Sequence, residues 1–208
     1  MAAASTNSYN DSVFINCPFD DGYTEKLHSI LYTIIRCGFS PKCALEETDG
    51  SNNRLDNIIK LIKNCRYSIH DLSRIELTED HFPRFNMPFE LGLFIGIKSM
   101  STSKRKQALI LEKRKYEYQK FISDLSGIDT QAHNDKIESI IKIIRNWLNS
   151  CSKRDNIPTA SKIEKEFKQF YYVDLPKLKA KESMDDDLSF YDYVCIAGLF
   201  ARKNAELS

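Results

Sequence analysis

Long apolar runs are missing from this sequence. Nowhere does it offer the roughly 18 consecutive apolar residues that read as a membrane-spanning helix. An excess of charge is missing as well: 30 Lys and Arg against 29 Asp and Glu leave a formal net charge of +1. No overall field therefore draws the chain toward DNA, RNA or acidic membranes, and neither nucleic acid nor membrane is expected as a partner. The glycine patterns that cradle phosphates are absent. There is no GxGxxG after a strand-like run and no GxxxxGK[ST], which argues against a dinucleotide site of the usual Rossmann kind and against a P-loop. HExxH is absent too, and the six cysteines (Cys17, Cys37, Cys43, Cys65, Cys151, Cys195) show no CxxC or His-containing metal spacing. No metal or cofactor is expected. The opening MAAASTNSYNDS has no apolar core of the kind a secretory leader needs. The cysteines are accordingly expected to be reduced and packed as small hydrophobes, in a cytoplasmic protein.

What is present is an alternation of two periodicities. Residues 1–11 are polar and read as a disordered lead-in. SVFINC (12–17) is a β-branched and aromatic run, and Leu27, Ile30, Leu31, Ile34 and Ile35 then recur at helical spacing before Gly38. SPKCALEE (40–47) reads as a second short strand and 48–53 as a turn cluster. RLDNIIKLIKNCR places Leu55, Ile58, Ile59 and Ile62 on one helical face. YSIHDLS (67–73) is a third strand, NMPFELGLFIGIKS a helix that tolerates Pro88 in its first turn, and QALILE (107–112) a fourth strand. This β-α-β-α-β-α-β order over 12–112 implies an open parallel sheet flanked by helices. Residues 113–208 read as a mainly helical extension: 135–150 is strongly amphipathic, and two further helices follow around 159–178 and 188–204. The basic runs 104–106 and 113–115 read as solvated loop edges.

In open parallel sheets ligands bind beyond the carboxyl ends of the strands, near the switch in strand order. That rule selects Asn16, Cys17 and Asp20 after the first strand, and Glu46, Glu47 and the turn through Arg54 after the second. After the third it selects His70, Asp71, Ser73 and Arg74, followed by Asn86 and Glu90 at the next helix. A Cys17–His70 nucleophile pair is conceivable on proximity alone, with a packed cysteine as the simpler reading. FISDLSGIDTQAH (121–133) admits two readings. It is either a set of turns in which Asp129 or Thr130 caps the 135–150 helix, or a segment folding over the sheet edge with Asp124 or His133 at the substrate.

Glu90 is the odd residue. It lies among Met87, Phe89, Leu91, Leu93 and Phe94, and is either an exposed acid on an amphipathic helix or a carboxylate held in a pocket. Near a helix N-terminus the dipole favours its charge, and a fixed carboxylate suits chemistry at a sugar carbon. The pattern alone leaves both readings open.

VFINCPFDD, EETDGSNN, RLDNIIKLIKNCR, YSIHDLS and FNMPFELGLFIG, in this order over residues 12–112, together resemble the TIR and nucleoside 2-deoxyribosyltransferase superfamily. ELGLFIG is close to the E-I-G-x-A form around the deoxyribosyltransferase glutamate. FINCPFD, IHDLSR, PRFNMPFELG and YEYQKFISDLSGIDTQAH further resemble a group of bacterial TIR-like proteins linked to anti-phage defence. The resemblance implies a flavodoxin-like sheet and cleavage or exchange of an N-glycosidic bond, in NAD as substrate or in a related nucleotide. By matching position to position it implies Glu90 as the catalytic carboxylate. Asn16, Cys17 and Asp20 would line the first loop, Asp71 and Arg74 the third, and Asn86 the mouth of the Glu90 helix, with Arg54 set to meet a phosphate. It also implies a homo-oligomer and a downstream effector protein as partners. The Ser/Trp-Cys stretch common before the TIR glutamate is absent here, and Pro18 and Phe19 replace polar residues. A non-catalytic nucleotide-binding or assembly module and a deoxyribosyltransferase of salvage metabolism are the alternatives. The many Phe and Tyr residues of 167–193 suggest an added interface, shared with core packing.

Overall fold

The computed structural model describes residues 9–46, 53–74, 84–101, 105–120, 122–125, 127–185 and 187–206. Five strands form one parallel sheet: β1 (Ser12–Asn16), β2 (Ser40–Lys42), β3 (Tyr67–Asp71), β4 (Gln107–Glu112) and β5 (Gln131–Ala132), in the order β2-β1-β3-β4-β5. The helices are α1 (Thr24–Arg36), α2 (Arg54–Asn64), α3 (Asn86–Met100), α4 (Ile137–Ser152), α5 (Ala160–Gln169), α6 (Leu175–Glu182) and α7 (Phe190–Glu206). This is the expected α/β, flavodoxin-like arrangement, with a helical C-terminal region.

The chain divides into two compact units. One combines residues up to Pro18 with Phe39–Asn134, and the other combines Phe19–Gly38 with Asp135–Ser208. In the first, β1 and β3 are buried along their whole length, as strands covered on both faces must be. Phe14, Ile58, Ile62, Cys65 and Phe94 form one apolar cluster, and Leu72, Met87, Leu91, Ile110 and Tyr118 another. In the second unit α1 packs with α4, α5 and α7. Arg36 of α1 forms a nearly buried ion pair with Glu166 of α5 at 2.7 Å. Tyr32 stacks on Phe170 at 5.3 Å.

Several expectations change at the element scale. The second strand stops at Lys42, not 47, because the Glu46 carboxylate turns back to accept from the Cys43 N–H at 2.9 Å and holds a 3-10 turn over Ala44–Glu46. The fifth strand was not expected. It lies beyond residue 112 and pairs with β4 through Leu111 and Glu112. Neither Asp129 nor Thr130 caps α4, whose N-cap is Lys136. Thr130 instead bonds to the Glu112 carboxylate. Lys106 is no solvated loop edge. It is buried, and its ammonium donates to the carbonyls of Ile62 and Cys65 at 2.6 Å and of Lys63 at 3.2 Å. A cation thereby satisfies the orphan carbonyls that end α2. Residues 1–8 of the expected lead-in lie outside the described residues, while Tyr9–Asp11 form a 3-10 turn. Among the described residues no helix is long and apolar enough to cross a membrane.

Candidate functional site

The switch in strand order falls between β1 and β3, where Asn16 and His70 are register partners. Side chains alternate along a strand, so Phe14, Asn16, Ser68 and His70 share the sheet face on which α3 packs. Rings confirm the placement: His70 meets Phe14 and Phe94 edge-on, at centroid distances of 6.1 and 5.2 Å.

At the end of β1 the Asn16 amide donates to the Met87 carbonyl at 2.8 Å and to His70 Nδ1 at 3.0 Å. An amide nitrogen only donates, so Nδ1 is the acceptor and the Nε2 proton points to Ser68 Oγ, 2.5 Å away. Burial pushes His70 down to about 3, which keeps the ring neutral, and the two hydrogen bonds fix its tautomer. Ser68, His70 and Asn16 thus form a buried chain that ends on the first turn of α3. Asn16 is 3% exposed and holds the Glu90 helix by its backbone. Both ring nitrogens of His70 are engaged in that chain, so the Cys17–His70 pair does not form.

Glu90 lies one turn beyond Met87 and is 8% exposed. It is not the exposed acid of an amphipathic helix. Burial pushes its carboxyl up to about 7, against the opposing pull of the Arg54 guanidinium. The same carboxylate adds to the rise of the Cys43 thiol, pushed up to about 12 first by burial, then by Glu46 and more weakly by Glu90. Glu90 is therefore within electrostatic reach of the start of α2 and the end of β2. Asn53 caps α2, accepting from the Leu55 N–H at 2.9 Å, and this fixes where Arg54 begins. Arg54 and Asn86 are exposed, as are Phe85 and Phe89 on the first turns of α3. The site thus combines a buried acid, a cation within its electrostatic reach and an exposed amide one turn earlier on α3.

The other residues selected from sequence lie elsewhere. Asp71 points to the opposite sheet face from His70. It is fully buried, accepts from the Ser73 N–H at 2.8 Å and faces His133 Nε2 at 3.4 Å. His133 is fully buried too, inside the protein beside Asp71. Asp124 is exposed on a 3-10 turn, and Arg74 is half-buried. Cys17 is buried. Asp20 belongs to the helical unit, where its carbonyl accepts from the Tyr23 N–H. Glu47 and residues 48–52 lie outside the described residues.

Sequence reasoning overlooked Ser68 and Glu112. Ser68 is two residues before His70, so strand alternation was the available signal. Glu112 is buried at the end of β4 and accepts from the N–H groups of Tyr116 and Glu117 at 2.9 Å and of Tyr118 at 3.4 Å. It organises the 113–118 loop and, through Thr130, the approach to β5. Among the described residues no group of three or more His, Cys, Asp or Glu is placed to hold a metal ion. No family model matches the chain, and no curated protein does.

Proposed function

We propose that this protein is a TIR-like enzyme that cleaves or exchanges the N-glycosidic bond of NAD or a related nucleotide, with Glu90 as its catalytic carboxylate. The observation that carries the reading is Glu90 itself, a buried acid on the helix that packs at the switch point of an open parallel sheet. Such positions are where ligands of this architecture bind. In the proposed step the bond between C1′ and the nicotinamide nitrogen breaks, and its electron pair neutralises the pyridinium. The ribose ring becomes oxocarbenium-like. The Glu90 carboxylate stabilises that positive charge or captures it covalently, and water, the substrate's own adenine or another base then takes the sugar. In this reading Arg54 meets a phosphate and Asn86 a sugar hydroxyl. A role in bacterial anti-phage signalling, self-assembly and an effector protein downstream rest on the motif resemblance alone.

A second reading has one observation in its favour. With its carboxyl raised to about 7, Glu90 is partly protonated near neutrality. It can then hand a proton to a purine or pyrimidine leaving group, as deoxyribosyl transfer requires and nicotinamide release does not. Incubating wild type and Glu90→Gln with NAD, and separately with a deoxynucleoside mixture, separates the readings by liquid chromatography and mass spectrometry. Nicotinamide release that the substitution abolishes supports the proposal. Base exchange among deoxynucleosides alone supports the second reading. Intact binding with no turnover in either assay would replace both with a non-catalytic module.

A further inference from the structure

The aromatic residues of 167–193 divide by exposure. Phe167, Phe170 and Tyr193 are buried in the helical unit, whereas Tyr191, in the first turn of α7, is 73% exposed. That helix lies outside the stretches that carry the motif resemblance. It buries Tyr193, Ile196, Ala197 and Ala201 and packs against α1. Its opposite face is exposed. There Tyr191, Cys195 and Leu199 recur at four-residue spacing and so stand in one row. Leu199 is 60% exposed, and the Tyr191 hydroxyl bonds to the Cys195 thiol.

Gly198, beside that row, is a second and independent observation. It sits in the interior of a 17-residue helix, where glycine is less favourable than alanine. Packing within the chain does not require it: a Cβ here would meet nothing closer than the Arg202 guanidinium, at 3.9 Å. A glycine among exposed apolar side chains suits the close approach of another backbone.

Charge identifies what approaches. At one end of the face Asp192 is exposed, and the exposed Asp185 and Asp187 precede the helix. At the other end Arg202 and Lys203 are exposed, with Glu206 in the last position. Asp192 accepts from the Ser189 hydroxyl at 2.6 Å, and Ser189 in turn accepts from the Asp192 N–H at 3.1 Å. A carboxylate has acceptor sites beyond that one bond. Asp192 and Arg202 lie symmetrically about Ala197 in the sequence, and so do Cys195 and Leu199. The face is therefore complementary to itself when turned end for end.

We infer that the outer face of α7 docks against the same face of a second copy, the two helices antiparallel about a two-fold axis level with Ala197. Asp192 of each copy then meets Arg202 and Lys203 of the other. Cys195 lies beside Leu199 of the other copy, and Gly198 admits the crossing. A self-complementary contact of this kind closes at a dimer. Confined to one helix per copy, it belongs to the small, reversible class of interfaces. The inference does not depend on the reaction proposed above.

Sedimentation of the full chain over a range of concentrations, at low ionic strength, reads the association. Wild type should pass reversibly from monomer to dimer. Gly198→Leu has room in the monomer and should keep its melting temperature, yet weaken association by about tenfold or more. Asp192→Lys, and separately the double variant Arg202→Glu with Lys203→Glu, should stay monomeric where wild type dimerises, because like charges then face each other twice. Mixed in equal amounts, these two variants should pair with each other, since both contacts are again between opposite charges. Recovery in the mixture also shows that neither variant had merely unfolded. A wild type that stays monomeric throughout, dimerisation that Gly198→Leu leaves unchanged, or charge variants that remain monomeric when mixed would overturn the inference.

Discussion

At the scale of single residues, two opposing effects act on Glu90. The Arg54 guanidinium favours the charged carboxylate. Burial raises the carboxyl from 4.5 to about 7, a displacement on the order of 3 kcal/mol. Burial wins, and the acid is held at a cost to the fold. Because the folded-state value lies above the unfolded one, the associated stability is present in full below pH 4.5 and is lost as pH rises through about 7. Glu90→Gln removes that loss. Its stability should match wild type near pH 4.5 and exceed it increasingly up to about pH 7, by at most about 3 kcal/mol. Urea unfolding at pH 5 and pH 8 measures this, and an equal offset at both would contradict it. The oddity of Glu90 was legible from its apolar neighbours. Its burial was not, because whether that side of α3 is covered depends on β2 and α2, elements distant in sequence.

At the scale of elements, two buried polar residues do the positioning. Asn16→Ala removes the donor to the Met87 carbonyl and to His70 Nδ1 and should destabilise by about 1–3 kcal/mol. Asn16→Asp should be worse, since it sets a carboxylate against two acceptors. In both variants hydrogen exchange should accelerate in the first turns of α3, and unchanged protection there would count against the clamp. Glu112→Ala leaves the N–H groups of Tyr116, Glu117 and Tyr118 without their acceptor, and a loss of about 2–4 kcal/mol is expected. Exchange should rise over 113–118 and 131–134 together, since Thr130 shares that carboxylate. Four strands and three helices of the sheet region were legible from periods of two and 3.6 residues. β5 was not. Two residues, Gln and Ala, carry no β-branched or apolar signature, and a single buried carboxylate at the end of the preceding strand organises their approach. Lys106 escaped for a similar reason: a lysine in a basic run looks solvated until the carbonyl end of α2 is seen to meet it.

At the scale of the molecule, α1 follows β1 in sequence but is compact with α4, α5 and α7. The Arg36–Glu166 pair and the Tyr193 hydroxyl bonded to the His28 carbonyl at 2.9 Å tie it there. A fragment ending at residue 112 therefore lacks both β5 and the helices against which α1 is buried. It is expected to lose cooperative unfolding and most of the α1 helix signal, as circular dichroism with thermal melting would register; a cooperative fragment would contradict the account. The strand-edge rule gathered Asn16, His70, Asp71 and Glu90 into one group. The fold separates them by sheet face, because a rule that uses strand ends says nothing of side-chain alternation. Under the proposed function the ionised Glu90 acts at a ribose carbon. Its most direct test is nicotinamide release from NAD followed by kcat/KM between pH 5 and 8, with wild type beside Glu90→Gln. The wild-type rate should climb through about pH 7, where the raised carboxyl ionises, with none above background in the variant. Release that persists in Glu90→Gln with the same pH profile would contradict it.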